Sequence, residues 1–192
     1  MPNAEVYYYP AFYAQEEANL LFQQIKEETL WQQDDITLFG KTMKIPRLQA
    51  WYGDSDKSYI YSGITLKPQT WTPTLLSMKK KIETITHVNY TSVLINLYRN
   101  GEDSMGWHAD DEPELGKNAN IASISLGAIR KFRFRHKDDH AQKVAIHLEN
   151  GSLLLMQGAT QHYWQHELPK SKKIATARIN LTFRKLLHAS KP

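Results

Sequence analysis

The fold of this chain is decided by residues 92–111, SVLINLYRNGEDSMGWHADD. Apolar and other residues alternate at the start of this segment, which predicts a strand. Its apolar face is formed by Val93, Ile95 and Leu97. Asn96 and Tyr98 share the opposite face, so the strand is predicted to present two polar groups side by side.

Two candidate metal ligands follow this strand. Asn100 and Gly101 favour a turn, and Gly106 allows close backbone approach just before His108. His108 and Asp110 are one residue apart, so an imidazole and a carboxylate are delivered together at a strand edge. This edge is predicted to be the chemical centre of the protein.

The same tripeptide pattern occurs a second time, at His136 and Asp138. This copy lies in the basic run RKFRFRHKDDH, which is typical of a solvated loop. The spacing alone does not decide which pair binds a metal.

Composition limits the class of protein. A chain of 192 residues with 41% hydrophobic residues and a mean hydropathy of -0.55 is typical of one soluble globular domain. The absence of cysteine excludes disulfides, thiolate zinc sites and cysteine-ligated iron-sulfur clusters. Any metal must therefore be held by His, Asp or Glu.

Neither a secretory leader nor an apolar run of about 18 residues is present, so we expect a soluble, intracellular protein that contacts no membrane. The net charge of +4 and the pI near 9.1 suit an anionic polymer as partner, although such an excess is also common in proteins that bind none.

Two packing helices are predicted before residue 90. The first, at residues 15–31, has an apolar face of Ala18, Leu21, Phe22 and Ile25. The second begins after Thr72 as N-cap with Pro73 at the first helical position, and it ends near His87. Residues 34–65 are interpreted as loops and hairpins that carry exposed aromatic side chains.

Beyond residue 90 the pattern predicts strand after strand. The predicted ranges are 93–98, 121–126, 131–135, 144–148, 152–156, 161–167 and 178–183. We therefore predict an α+β, mainly β, fold built on an antiparallel sandwich or jelly roll. One domain, residues 1–192, is expected, with helices and hairpins in about 1–90 and the β core in about 91–187.

The last predicted strand has a polar face, formed at period two by Arg178, Asn180, Thr182 and Arg184. Such a face is compatible with ordinary solvation. Two guanidiniums that flank an amide and a hydroxyl also form a fork for carboxylates.

A third metal ligand is available from the preceding predicted strand. With His166, the pair His108 and Asp110 would form the two-histidine, one-carboxylate triad of non-haem Fe(II) oxygenases. His162 lies four residues earlier on the same predicted strand, and spacing does not exclude it.

These residues resemble the AlkB-type Fe(II)/2-oxoglutarate dioxygenases, in particular the branch that repairs alkylated DNA bases. The resemblance runs from about residue 37 and rests on motifs in family order: LFGK, IPR, YGD, YSG, LINLYRNG, WHADDE, IASISLGA, FRFRHK, GSLLLM, HELP and RINLTFRK. It implies a double-stranded β-helix, or jelly roll, with N-terminal helices packed on the sheet and a nucleotide-recognition hairpin lid.

The resemblance also implies roles for the polar residues. His108, Asp110 and His166 would bind Fe(II), and Arg178 with Tyr98 would bind the distal carboxylate of 2-oxoglutarate. The rest of the cosubstrate pocket would be formed by Asn96, Asn180, Thr182 and Arg184. In the implied reaction, O2 and 2-oxoglutarate yield succinate and CO2 while an N-alkyl group is hydroxylated and lost as an aldehyde.

For the substrate, the resemblance implies a flipped base stacked between Tyr61 and the ring of His108, with Tyr59, Asp111 and Glu112 near its polar edge. Leu38, Phe39 and Gly40 would form an intercalating finger, and Arg47 would contact the neighbouring strands. Phosphates would be neutralised by Lys131, Arg133, Arg135, His136, Lys137, Lys170, Lys172 and Lys173.

We therefore expect a monomeric dealkylase of 1-methyladenine and 3-methylcytosine that prefers duplex DNA over single strands. It would work in the bacterial nucleoid space, or in the nucleus of a eukaryote. One alternative is the same chemistry on RNA or protein. Another is a catalytically silent nucleic-acid-binding module, against which the complete set of iron and cosubstrate residues argues.

Overall fold

The structure is a computed structural model that describes residues 1–38, 40–54, 59–61, 64–66 and 68–187, with the backbone alone described at 38, 59–61 and 64–66. Within these ranges, none of the helices combines the length and apolar character needed to span a membrane.

The described chain forms an α+β fold that is mainly β. The helices are α1 Gln15–Glu28, α2 Pro73–Thr86 and the short α3 Thr160–Tyr163. The strands are β1 Glu5–Tyr9, β2 Asp35–Leu38, β3 Lys41–Lys44, β4 Leu48–Gly53, β5 Tyr59–Tyr61, β6 Ile64–Leu66, β7 Ser92–Tyr98, β8 Met105–His108, β9 Ile121–Gly127, β10 Arg130–His136, β11 Lys143–Leu148, β12 Ser152–Gln157, β13 Trp164–Leu168 and β14 Arg178–Arg184.

Two antiparallel sheets form the β sandwich. The larger has the order β1-β12-β9-β14-β7-β4, and the smaller has the order β11-β10-β13-β8. One hydrophobic core lies between the large sheet and helices α1 and α2, and a second fills the space between the two sheets. The predicted jelly roll with helices packed on one sheet is therefore confirmed.

Helix α2 begins and ends where its sequence predicts. The Thr72 hydroxyl accepts a hydrogen bond from the Leu75 N–H (3.2 Å), and Pro73 occupies the first turn, where no backbone donor is needed. His87 closes the helix in the left-handed conformation. Helix α1 is three residues shorter than predicted, but its predicted apolar face does pack on the core.

Several sequence predictions were wrong in the regions that tertiary pairing controls. Residues 48–53 are a strand at the edge of the large sheet, with Trp51 and Tyr52 buried, and not an exposed loop. Strand β1 was not anticipated. Strands β1 and β4 both hydrogen-bond into the large sheet. The large sheet therefore includes strands from before residue 90, although the sequence pattern there is one of helices and hairpins.

The predicted strand 161–167 is also wrong in its first half. Residues 160–163 form one helical turn, and the strand begins only at Trp164. The reason is the Thr160 hydroxyl, which donates to the Gln157 carbonyl (2.6 Å) and accepts from the Glu5 N–H (2.8 Å). These side-chain hydrogen bonds stabilise a helical turn at residues 160–163, where a strand would instead form backbone hydrogen bonds with a neighbouring strand.

Candidate active site

The two histidines predicted to bind metal are brought together by strand pairing. His108 at the end of β8 lies directly opposite His166 of β13, and their ring centroids are 4.3 Å apart. Asp110 follows two residues after His108. One nitrogen or oxygen atom of each of the three side chains lies within 4.8 Å of the others, which suits a single metal ion held by two imidazoles and one carboxylate.

Hydrogen bonds orient the first two ligands. The His108 Nδ1 lies 2.8 Å from the carbonyl oxygen of Gly106, and since a carbonyl only accepts, Nδ1 is the donor and Nε2 is the ring nitrogen that remains to face a metal. The Asp110 carboxylate is held by the Arg184 guanidinium, with Nη2 2.9 Å from Oδ1 and Nε 3.3 Å from Oδ2.

Both buried ligands are in the protonation state that binds metal. Burial raises the pKa of the Asp110 carboxyl, but the charge of Arg184, followed by those of His166 and His108, outweighs it and lowers the pKa to about 2. Burial and the neighbouring His108 lower the pKa of His166 to about 3. At neutral pH the site therefore offers a carboxylate and a neutral imidazole.

A cavity between the sheets joins these ligands to the polar strand faces. Antiparallel pairing of β14 with β7 places Arg178 opposite Tyr98 and Asn180 opposite Asn96. The cavity is lined by His108, Asp110, His166, Asn96, Tyr98, Arg178, Asn180, Thr182 and Arg184, together with Ser123 and several apolar residues. Every residue predicted for iron or 2-oxoglutarate thus lines one cavity.

Arg178 is a buried cation that fits an anionic ligand. It is 1% exposed, and its Nη2 donates to the Ser125 hydroxyl (2.8 Å) and the Asn180 Oδ1 (2.7 Å). Burial lowers its pKa to about 10, so the guanidinium stays charged at neutral pH. Among the described residues no carboxylate pairs with it, and its Nε is shielded from water without a hydrogen-bond partner. A carboxylate of 2-oxoglutarate would balance the charge of Arg178 and accept a hydrogen bond from its Nε.

Comparison with known proteins agrees with this geometry. The family model described as the 2OG-Fe(II) oxygenase superfamily matches residues 5–184. The chain belongs to this superfamily. It is an Fe(II)- and 2-oxoglutarate-dependent dioxygenase that uses O2.

Curated relatives place this oxygenase within the AlkB type. It is 39% identical to the DNA oxidative demethylase ALKBH2 of Bos taurus over 95% of this chain and 69% of that protein. It is 44% identical to the alpha-ketoglutarate-dependent dioxygenase alkB homolog 3 of Bos taurus, over 91% of this chain and 64% of that protein. The solved structure of OsALKBH1 superposes with a TM-score of 0.69 at 17% identity, over 96% of this chain and 99% of that one, which shows the shared fold.

The rival histidines of the oxygenase lie elsewhere. The His136 Nδ1 accepts hydrogen bonds from the backbone N–H groups of Asp138 and Asp139, and its ring packs on Tyr163. His162 is exposed, lies on α3 and not on a strand, and accepts from the Asn118 N–H (3.3 Å). Neither histidine is part of the metal-ligand cluster found among the described residues.

Arg47 lies in a different environment from the one its predicted role requires. It is 5% exposed, and its Nε donates to the Asn96 Oδ1 (3.0 Å) at the wall of the cosubstrate cavity. In this conformation it therefore fixes the orientation of the Asn96 amide. Its contact with DNA stays a prediction.

The segment predicted to form loops and hairpins, residues 34–65, is described with its side chains at 34–37 and 40–54 and by the backbone alone at 38, 59–61 and 64–65. It contains the hairpins β2–β3 and β5–β6, so the predicted hairpins are confirmed. Gly40 turns the first hairpin at a φ of +76°, which only glycine adopts without strain. Phe39 lies outside the described residues, as do the side chains of Leu38, Tyr59 and Tyr61.

The two acids after the ligand segment differ in their surroundings. Asp111 is exposed and forms an ion pair with Lys137 (2.8 Å). One carboxylate oxygen of Glu112 is buried without a hydrogen-bond partner among the described residues. An unpartnered buried acceptor is costly unless a ligand satisfies it.

Part of the predicted phosphate-binding surface already has partners. Arg133 pairs with Glu167, Arg135 donates to the Gln165 Oε1 (2.9 Å), and both guanidiniums lie over the Trp107 ring. His136 is buried. The exposed members of the set are Lys131, Lys170, Lys172 and Lys173.

Sequence reasoning missed three residues of this site. Ser123 and Ser125 alternate with apolar residues on β9 and hydrogen-bond to Asn180 and Arg178, so the period-two argument would have found them. Gln161, which contacts the backbone of Asp110, left no signal in the sequence.

Proposed function

We propose that this dioxygenase removes alkyl groups from N-alkylated DNA bases, 1-methyladenine and 3-methylcytosine in particular. The observation that carries the proposal is the single cavity in which the His108, Asp110 and His166 cluster faces the buried Arg178. The names of the ALKBH2 relatives support DNA as the substrate.

The residues of the cavity have separate roles in the proposed reaction. His108, Asp110 and His166 hold Fe(II), and Arg178 with the Tyr98 hydroxyl holds the distal carboxylate of 2-oxoglutarate. When bound, iron, 2-oxoglutarate and O2 supply an oxidation that hydroxylates the alkyl carbon and releases succinate and CO2; the hydroxyalkyl group then leaves as an aldehyde. Arg184 keeps Asp110 ionised and oriented, and the apolar residues of the cavity exclude water.

The depth of the proposed metal ligands supports base flipping. Asp110 and His166 are 3% and 4% exposed, so a base stacked inside a duplex does not reach them. An extruded base does, held in the proposal between Tyr61 and the His108 ring with Tyr59, Asp111 and Glu112 at its edge. The side chain of His108 is 33% exposed, which leaves it accessible to such a base.

Glu112 is expected to favour cationic lesions. Both 1-methyladenine and 3-methylcytosine carry positive charge at neutral pH, and the unpartnered buried oxygen of Glu112 would accept a hydrogen bond from such a base. Glu112→Gln should lower kcat/KM on these lesions by about 10-fold or more, because a charged hydrogen bond contributes roughly 1.5 to 3 kcal/mol. The measurement is single-turnover repair of a 1-methyladenine oligonucleotide. Glu27→Gln, an exposed glutamate on helix α1 away from the cavity, is the matched control. An equal loss in both variants would contradict the role of Glu112.

The preference for duplex DNA is proposed to depend on Phe39. Inserted where the base was, its ring would restore stacking on the neighbouring bases. Because stacking on an aromatic side chain contributes roughly 1 to 3 kcal/mol, Phe39→Ala should slow repair of duplex about 10- to 100-fold. Single strands need no such replacement, so their repair should change little. Equal losses on both substrates would show that Phe39 supports the hairpin instead.

One assay tests the function and its alternatives. The protein is incubated with Fe(II), 2-oxoglutarate and matched DNA or RNA oligonucleotides that carry 1-methyladenine, and formaldehyde and succinate are followed. Formaldehyde from DNA in stoichiometric yield with succinate supports the proposal, and faster release from RNA would favour the RNA alternative. Oligonucleotide binding without either product would indicate a silent binding module.

A further inference from the structure

Gln161 contacts the metal-ligand segment from outside the ligand set. It is 2% exposed, and its Oε1 accepts a hydrogen bond of 2.9 Å from the backbone N–H of Asp110. Its Nε2 lies 3.6 Å from the sulfur of Met156, which lines the same cavity as the ligands. Both ends of the amide therefore touch residues of the site.

The Asp110 backbone needs such support because it lies beyond the end of β8. Strand pairing holds His108 and ends there, so the N–H of Asp110 takes its partner from a side chain. Arg184 holds the carboxylate of the same residue. Gln161 and Arg184 together fix both ends of Asp110, which sets the direction of its carboxylate.

We propose that Gln161 is a positioning residue of the iron centre, which holds the Asp110 backbone so that its carboxylate converges with His108 and His166. The inference rests on the proposed ligand role of Asp110. Without this hydrogen bond, a buried N–H would be left unsatisfied, and the segment would move to find another acceptor. Outer residues that orient a ligand typically change metal affinity about 10- to 100-fold.

The N-terminal strand holds Gln161 in place. The Thr160 hydroxyl joins the Glu5 N–H of β1 to the Gln157 carbonyl. The indole N–H of Trp164, at the start of the strand that carries His166, donates to the Pro2 carbonyl (2.9 Å). The segment 2–9, for which the sequence offered no role, thus supports the platform that carries both Gln161 and His166.

The test compares two substitutions by metal affinity. Gln161→Met keeps the volume but has no oxygen acceptor, whereas Gln161→Glu keeps an acceptor at the same reach. Mn(II) affinity is measured by titration of its EPR signal in the presence of 2-oxoglutarate, and folding by thermal melting. We expect Gln161→Met to bind Mn(II) about 10- to 100-fold more weakly than wild type, and Gln161→Glu to recover most of that loss. Gln157→Met, a glutamine outside the cavity, should bind as wild type.

The proposal is overturned if Gln161→Met binds Mn(II) as wild type, or if Gln161→Glu loses as much affinity as Gln161→Met. Should Gln161→Met not fold, amide exchange in Zn(II)-loaded wild type decides: slow exchange of the Asp110 N–H supports the hydrogen bond, and exchange at the solvent rate overturns it. Asp110→Ala is measured alongside. If it keeps Mn(II), the proposed ligand set fails; if it loses Mn(II) while Gln161→Met retains it, only the role of Gln161 fails.

Discussion

Replacing His108, Asp110 or His166 by alanine is expected to abolish turnover, because each change removes one of the three proposed metal ligands. Asp110→Ala should have a second effect. Asp110→Ala also breaks the ion pair in which the Arg184 guanidinium lies 2.9 Å from the buried Asp110 carboxylate. Removing one partner of a buried pair costs about 3 to 5 kcal/mol, so Asp110→Ala should also lower the melting temperature.

The measurement is formaldehyde release together with Fe(II) affinity under anaerobic conditions. His162→Ala and His136→Ala are the matched controls. His162 is exposed and His136 packs on Tyr163, and neither belongs to the cluster of His108, Asp110 and His166. Both should keep metal binding and activity. Activity that survives His166→Ala but not His162→Ala would show that the ligand assignment is incorrect.

Arg178→Lys is expected to raise the KM for 2-oxoglutarate by about 10- to 100-fold, because a lysine ammonium does not replace both hydrogen bonds of a bidentate pair and each bond to a charged group contributes roughly 1.5 to 3 kcal/mol. The KM for DNA should change little. DNA binding should be unaffected because Arg178 is fully buried on the wall of the cavity and is not exposed to a DNA strand. The Nε of Arg178 has no hydrogen-bond partner among the described residues, so it is available to 2-oxoglutarate.

Steady-state kinetics at saturating DNA and then at saturating 2-oxoglutarate separate the two constants. Arg99→Lys is the control, because the Arg99 guanidinium pairs with Asp103 and not with the cavity. Equal increases in both KM values for Arg178→Lys would remove this residue from the proposed role.

The local pattern of the sequence predicted most of the β core and the cosubstrate wall. Alternation at period two assigned Asn96 and Tyr98 to one face of β7, and Arg178 and Asn180 to one face of β14. The two strands are neighbours in register, so the faces predicted separately form one surface. This success has a physical cause: side-chain direction in a strand is a property of the single strand.

Pairing between segments that are distant in the sequence could not be predicted from the same local pattern. Trp51 and Tyr52 lie in a segment that was interpreted as loops and hairpins with exposed aromatic side chains, yet pairing of β4 with β7 buries both. The turn at Thr160 depends on Glu5, which lies 155 residues away. Such contacts leave no periodic signal in the chain.

By itself, the sequence determined the types of residue at the centre, their strand faces and, through ordered motifs, the family resemblance. Only the tertiary structure shows that His166, and not His162, lies beside His108 and Asp110, because this depends on which residue pairs across from His108. It also decided that Gln161 contacts Asp110 and that Arg178 is a buried cation without a carboxylate partner among the described residues. Burial and long-range contacts arise when strands distant in the chain pack together, and they set the pKa values and hydrogen bonds on which the chemistry depends.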